Sequence, residues 1–256
     1  MAFERAGSGP AVIVVASALS TRSDAKRLAA LLAADFTVIN YDRRGRGESG
    51  DTPPYAVERE IEDIDALIEH AGGSAFVFGS SSGAALALEA AAGGLGIEKV
   101  ALYEPPFVVA AGEHQLPTDF RAQLAGMIDA GRNADAVRYF MTKGIGMPAI
   151  FVHMMRLAPK TWSSMKAMAP TILYDIAVLG DNQAGKPLPA GRWSDATMPT
   201  LVLNGGKSPE FLQHGATALA DVLPNARLRT LDKLNHGAVV MSPKTLAPVL
   251  SEFFTS

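Results

Sequence analysis

"FVFGSSSGAALALEAAAGG", residues 76–94, packs three serines between two glycines and then runs on into alanine and leucine. The apolar residues ahead of Gly79 read as a buried strand, and the small residues behind Gly83 read as a helix. Gly79-x-Ser81-x-Gly83 between them has the form of a nucleophile elbow, the tight strand-to-helix turn written G-x-S-x-G. Such a turn leaves no room for side chains at its flanking positions and holds the central serine in a strained conformation with its hydroxyl exposed. The serine then sits at a helix N-terminus, where free N–H groups and the helix dipole favour negative charge. Ala84, Ala85 and Ala87 let that helix lie close on the sheet. A glycine/serine turn without chemistry has the same letters, so the surrounding pattern has to decide.

Working outward, residues 11–16 (AVIVVA) form an unbroken apolar run, as expected of a strand buried on both faces of a parallel sheet. FTVINYD (36–42), AFVFG (75–79) and KVALYEP (99–105) read as further strands. A helix is expected over DAKRLAALLAADF, N-capped by Ser23. Another is expected where Val57, Ile61, Ile64 and Ile68 fall at helical spacing with acidic residues on the opposite face. From 112 to 195 only helical patterns appear: FRAQLAGMIDAG, NADAVRYFMTKG and KTWSSMKAMAPTILYDIAVLGD. Alternation resumes with a strand at 200–206, a helix in LQHGATALADVL, a strand in ARLRTL and a last helix over 243–254. Strands alternating with helices predict a mostly parallel sheet covered on both faces. The expected division is an α/β core of 1–111 and 196–256 with a helical cap inserted at 112–195.

Composition narrows the function classes. The chain has 256 residues, 48% hydrophobic and 19% charged, which fits an ordered globular protein. Formal net charge is -3 and no basic block appears, which argues against nucleic acid and against an anionic membrane surface. With no cysteine, disulfides, thiolate catalysis and cysteine zinc sites are excluded. No metal or other cofactor is expected, since no histidine pair stands at ligand spacing. Glu4 and Arg5 precede any apolar segment and no run reaches spanning length, so a soluble cytoplasmic protein is expected, monomeric or homodimeric.

Several separate stretches, covering nearly the whole chain, resemble the α/β-hydrolase family. "YDRRGRGES" (41–49) is similar to its D-x-R-G-x-G-x-S signature at Asp42, Arg44, Gly45, Gly47 and Ser49. "VALYEPPF", "LVLNGGKSPEF" and "LPNARLRTLDKLNHG" resemble its later strands and its histidine loop. The resemblance implies Ser81 as nucleophile and His236 as general base, while His70, His114, His153 and His214 read as ordinary histidines. Two departures stand out. Where the family carries His-Gly after its first buried strand, this chain has Ala16-Ser17, so an oxyanion hole would rest on the backbone N–H groups of Ala18 and Ser82. Where most members have an aspartate, near Ser208, this chain reads Lys207-Ser208-Pro209. A catalytic histidine needs a carboxylate to fix its tautomer, and losing it costs on the order of 10⁴ in rate. Glu104, at the end of the strand after the elbow helix, is the first candidate, as in relatives such as haloalkane dehalogenases that draw their acid from there. Glu210 is the second, and a dyad without acid is the remaining alternative.

Met127, Met141, Met147, Met154, Met155, Met165 and Met168 cluster in the insertion with Phe140, Phe151, Trp162 and Tyr174. Methionine adapts to irregular apolar shapes, so a lid over an apolar small-molecule substrate is expected. A cleaved ester, thioester or lactone is the leading reading. The alternatives are a catalytically weak ligand-binding protein, or a cofactor-free perhydrolase or C–C bond hydrolase using the same serine and histidine.

Overall fold

Seven strands build one sheet in the computed structural model, which describes the whole chain, Met1–Ser256. They are β1 (Phe3–Ala6), β2 (Ala11–Val15), β3 (Thr37–Tyr41), β4 (Ala75–Ser80), β5 (Ile97–Tyr103), β6 (Thr200–Gly205) and β7 (Ala226–Leu231). In space they run β1-β3-β2-β4-β5-β6-β7, with β1 antiparallel to β3 and every other neighbour parallel. The helices are α1 (Arg22–Leu32), α2 (Val57–Ala71), α3 (Ser82–Ala92), α4 (Phe120–Asp129), α5 (Asn133–Tyr139), α6 (Ala149–Met155), α7 (Pro159–Ala167), α8 (Ile172–Leu179), α9 (Glu210–Val222), α10 (Ala238–Met241) and α11 (Pro243–Thr255).

The central strands read as continuous apolar runs because both faces are covered. Ile13, Val15, Ile39, Val77, Val100, Leu102 and Val202 share one buried cluster with residues of α2, α3 and α9. Val12, Val14, Val38, Phe78, Leu201 and Leu203 point the other way and pack with α1 and α11. The buried Ala84, Ala85 and Ala87 put α3 hard against the sheet, so the helix that follows Ser81 is fixed by packing.

Several details differ from the sequence reading. β1 was not in the strand pattern: all four of its residues are exposed, so FERA carries no apolar signal and pairs with β3 through its backbone alone. Helix α1 begins two residues early, N-capped by Thr21 rather than Ser23, and the Thr21 N–H donates to the Asp24 carboxylate at 2.8 Å. β5 stops at Tyr103, and Glu104 leaves the strand with φ 48°. Glu60 lies buried instead of on the wet face of α2.

Between β5 and β6 the chain forms helices α4 to α8, flanked by loops, with no strand. The segment has its own core, in which Phe120, Leu124, Val137, Phe140 and Ile172 meet Leu19 from the loop after β2. The 160–181 pattern is divided by a 3-10 turn at Ala169–Thr171, where Pro170 interrupts the run, and α6 was not anticipated. No helix of the chain is long and apolar enough to cross a membrane.

Candidate active site

Ser81 occupies the turn between β4 and α3 with φ 55° and ψ −127°, a backbone conformation that L-residues rarely adopt. The crowding that requires small neighbours is direct. A Cβ on Gly79 would lie 2.4 Å from the Gly83 carbonyl oxygen, and one on Gly83 would lie 2.5 Å from the carbonyl oxygens of both Val15 and Ala16. The Ser81 N–H donates to the Tyr103 carbonyl at 2.8 Å, so the serine is pinned to the end of β5.

His236 stands in the loop after β7, with Nε2 3.1 Å from Ser81 Oγ. Its Nδ1 lies 2.7 Å from Glu104 Oε2, and the Gly205 N–H donates to Glu104 Oε1 at 2.6 Å. Glu104 is fully buried, whereas the His236 side chain is 27% exposed. One carboxylate oxygen is therefore anchored to the end of β6 while the other orients the imidazole. The Tyr103 hydroxyl donates to the Asn235 carbonyl at 2.7 Å and steadies the histidine loop. Burial, with the Glu104 charge beside it, pushes the Tyr103 hydroxyl far up, so it stays a proton donor.

Glu210 is exposed in the first turn of α9 and makes no hydrogen bond to His236. Ser208 is buried and its hydroxyl meets no polar partner. The other histidines lie elsewhere: His70 edges onto Phe3, His114 bonds the Gly144 carbonyl, His153 is exposed on α6 and His214 pairs with Glu113.

A cavity of about 500 Å³ opens over Ser81 and His236, a common size for a small-molecule site. Its wall is largely apolar, and no lysine or arginine lines it. Met141, Met147, Met155, Met165 and Phe140 of the expected cluster reach it. Met127, Met154, Met168, Phe151, Trp162 and Tyr174 do not; Tyr174 instead stacks on Tyr55 with ring centroids 3.9 Å apart. Ala18 and Ser82 border the cavity, and neither backbone N–H donates to another group of the chain. Both amides are free to meet a ligand oxygen.

The signature loop acts at one remove. Asp42 accepts from the N–H groups of Arg22 and Glu48 at 2.7 and 2.9 Å, Ser49 Oγ donates to the Asp42 carbonyl, and Arg44 pairs with Asp63. Its variable positions, Arg43 and Arg46, were missed by the sequence reading and are the residues that approach the site. Arg43 grips Glu60 through two 2.8 Å bonds and reaches Asp175 at 2.8 Å, and Arg46 Nη2 donates to both Asp175 oxygens at 2.9 Å. All four groups are at most 1% exposed. Burial alone would raise the Glu60 carboxyl, but the Arg43 charge and its hydrogen bonds, helped by Arg46 and Tyr55, pull it below its usual range. A buried arginine that meets an aspartate on a helix 132 positions along the chain leaves no local sequence signal.

Strand order, elbow and histidine loop all agree with one fold family, and its sequence pattern, that of the alpha/beta hydrolase family, matches residues 12–249. The chain belongs to the alpha/beta hydrolase family. Membership makes it a hydrolase. Among solved structures this alpha/beta hydrolase is similar to an alpha/beta hydrolase from Sphaerobacter thermophilus DSM 20745, at 52% identity and TM-score 0.91, covering 99% of this chain and 95% of that one. A hydrolase from Pseudomonas aeruginosa PA01, at 20% identity and TM-score 0.74 over 99% and 94% of the two chains, shares the fold. The uncharacterized hydrolase YraK of Bacillus subtilis (strain 168) is 34% identical over 91 residues, a stretch that is 34% of each protein, so the match spans about a third of that relative's length.

Proposed function

We propose that this alpha/beta hydrolase cleaves esters, thioesters or lactones of neutral, largely apolar small molecules through an acyl-enzyme on Ser81. The observation that carries the reading is the continuous line from Ser81 Oγ through His236 to Glu104, opening on a cavity free of lysine and arginine. Ser81 Oγ adds to the substrate carbonyl carbon while its proton passes to His236 Nε2. Glu104 stays ionised, holds the Nδ1 proton and stabilises the imidazolium. The carbonyl oxygen, now an anion, is met by the N–H groups of Ala18 and Ser82. Collapse of the adduct breaks the bond to the leaving oxygen or sulfur, which takes the proton from His236. Water then adds to the acyl-enzyme, gives its proton to His236 and releases the acid, and the proton returns to Ser81. Residues 112–195 act in this reading as a cap that roofs the acyl group with Met141, Met147, Met155 and Met165.

The test is labelling with a fluorophosphonate, mapped by peptide, on the wild type and on Ser81→Ala. The expected result is modification confined to Ser81 and absent from the variant, together with turnover of neutral p-nitrophenyl esters that the variant loses. Folded wild type that neither labels nor turns over ester would falsify the reading and leave ligand binding as the role of the cavity.

A further inference from the structure

We propose that the buried pair Arg46–Asp175, assisted by Arg43, is a positioning device that aims both oxyanion amides, one through the backbone and one through a side chain. The proposal rests on the reading above, in which Ser81 forms a tetrahedral adduct whose oxygen meets Ala18 and Ser82.

The backbone arm works through a single peptide plane. Arg46 Nη1 donates to the Ser17 carbonyl at 3.1 Å. The Ser17 carbonyl and the Ala18 N–H belong to one planar trans amide and point in opposite directions. Holding the oxygen from behind therefore fixes the direction of the Ala18 N–H, and a charged donor on the oxygen polarises the amide and strengthens that N–H as a donor. Arg43 Nη1 adds a second hold one residue earlier, at the Ala16 carbonyl, 3.2 Å away. These carbonyls stand where relatives are expected to carry His-Gly.

The side-chain arm works through Ser82. Its hydroxyl, 1% exposed, donates to Asp175 Oδ1 at 2.7 Å, the oxygen that also accepts from Arg43 and Arg46. The residue after the nucleophile is thus tied to the same carboxylate as the arginines that hold the Ala16–Ser17 segment. Asp175 sits on α8, inside the helical insertion, so the insertion carries the common anchor of the two amides. Arg43, Arg46, Glu60 and Asp175 sum to zero charge, and burying them brings a desolvation cost with no assured gain in stability. What the cluster supplies is fixed geometry at the edge of the cavity.

The two arms predict a defect in transition-state stabilisation rather than in substrate binding. S82A removes one tie without changing any charge, and R46K keeps the charge while losing the guanidinium fork. Turnover of p-nitrophenyl butyrate is measured per active site titrated with fluorophosphonate, and affinity is measured for an alkyl trifluoromethyl ketone. In that adduct the Ser81 oxygen bonds to the ketone carbon, His236 takes the proton and the ketone oxygen becomes an anion. Both variants should lower kcat about tenfold, less than outright removal of an oxyanion donor, and weaken the ketone by a similar factor, with KM within about twofold. Folded S82A and R46K with wild-type kcat per titrated site and wild-type ketone affinity would overturn the proposal while leaving the serine mechanism standing. Should one variant fail to fold, the other carries the same reading. A wild type that neither labels nor turns over ester overturns both.

Discussion

Strands β5 and β6 run side by side, Tyr103 opposite Leu203, and each delivers a polar residue near the histidine loop. At the end of β5 the backbone turns through φ 48° at Glu104, and the carboxylate is held between the Gly205 N–H and His236. Past the end of β6, where relatives are expected to carry aspartate, Ser208 is buried with a hydroxyl that meets no polar partner. In the proposed mechanism the acid comes from the end of β5, and the β6 end supplies a backbone donor to it. The comparison teaches that reach and anchoring decide which carboxylate meets the histidine: Glu104 has both, held between the Gly205 N–H and His236.

Glu104→Gln tests the comparison at its largest effect. The amide can still accept from Gly205, but its NH₂ turned toward His236 would donate to Nδ1 and leave the proton on Nε2, where it cannot accept from Ser81. We expect kcat to fall by about 10⁴ with KM little changed, the usual scale for a tautomer error in a serine triad. A loss below tenfold in pre-steady-state acylation would break the comparison and make the site a dyad. The second test moves the acid back. Glu104→Gln combined with Ser208→Asp should recover roughly tenfold over Glu104→Gln alone, within the range of about 0.5–3 kcal/mol seen for coupled neighbours. No recovery in a folded double variant would show that the β6 end has lost the geometry as well as the residue.

Where both faces of an element are covered, its sequence speaks plainly. Residues 11–15, 75–80 and 200–205 are buried almost end to end and stood out as apolar runs. β1 was silent because all four of its residues are exposed and the strand is set by its pairing with β3. Helix α6 was silent for the opposite reason: Ile150, Phe151 and Met154 are all more than half exposed, so its apolar residues do not trace one buried stripe. The meeting of Ser81, His236 and Glu104 could be anticipated because each lies at the same edge of a parallel sheet, a consequence of topology. Glu60 could not, because its burial depends on Arg43 arriving from another loop. Arg46 and Asp175, separated by 129 positions, gave no sign of each other either.

The smallest expected effect bears on what Ser208 is for. A buried hydroxyl with no partner carries a desolvation penalty of about 1–3 kcal/mol, whereas a methyl in the same place carries none. If the β6 end is a vacated acid position with no remaining polar duty, Ser208→Ala should leave kcat unchanged and raise stability by about 1 kcal/mol, a gain of roughly 2–4 °C in Tm for a chain of this size. Thermal unfolding alongside ester turnover reads both quantities at once. A fall in Tm would mean that the hydroxyl is satisfied by bound water and still belongs to a polar site. A fall in kcat at constant Tm would mean more: that the β6 end continues to shape the electrostatics around His236, and that the two strand ends act together.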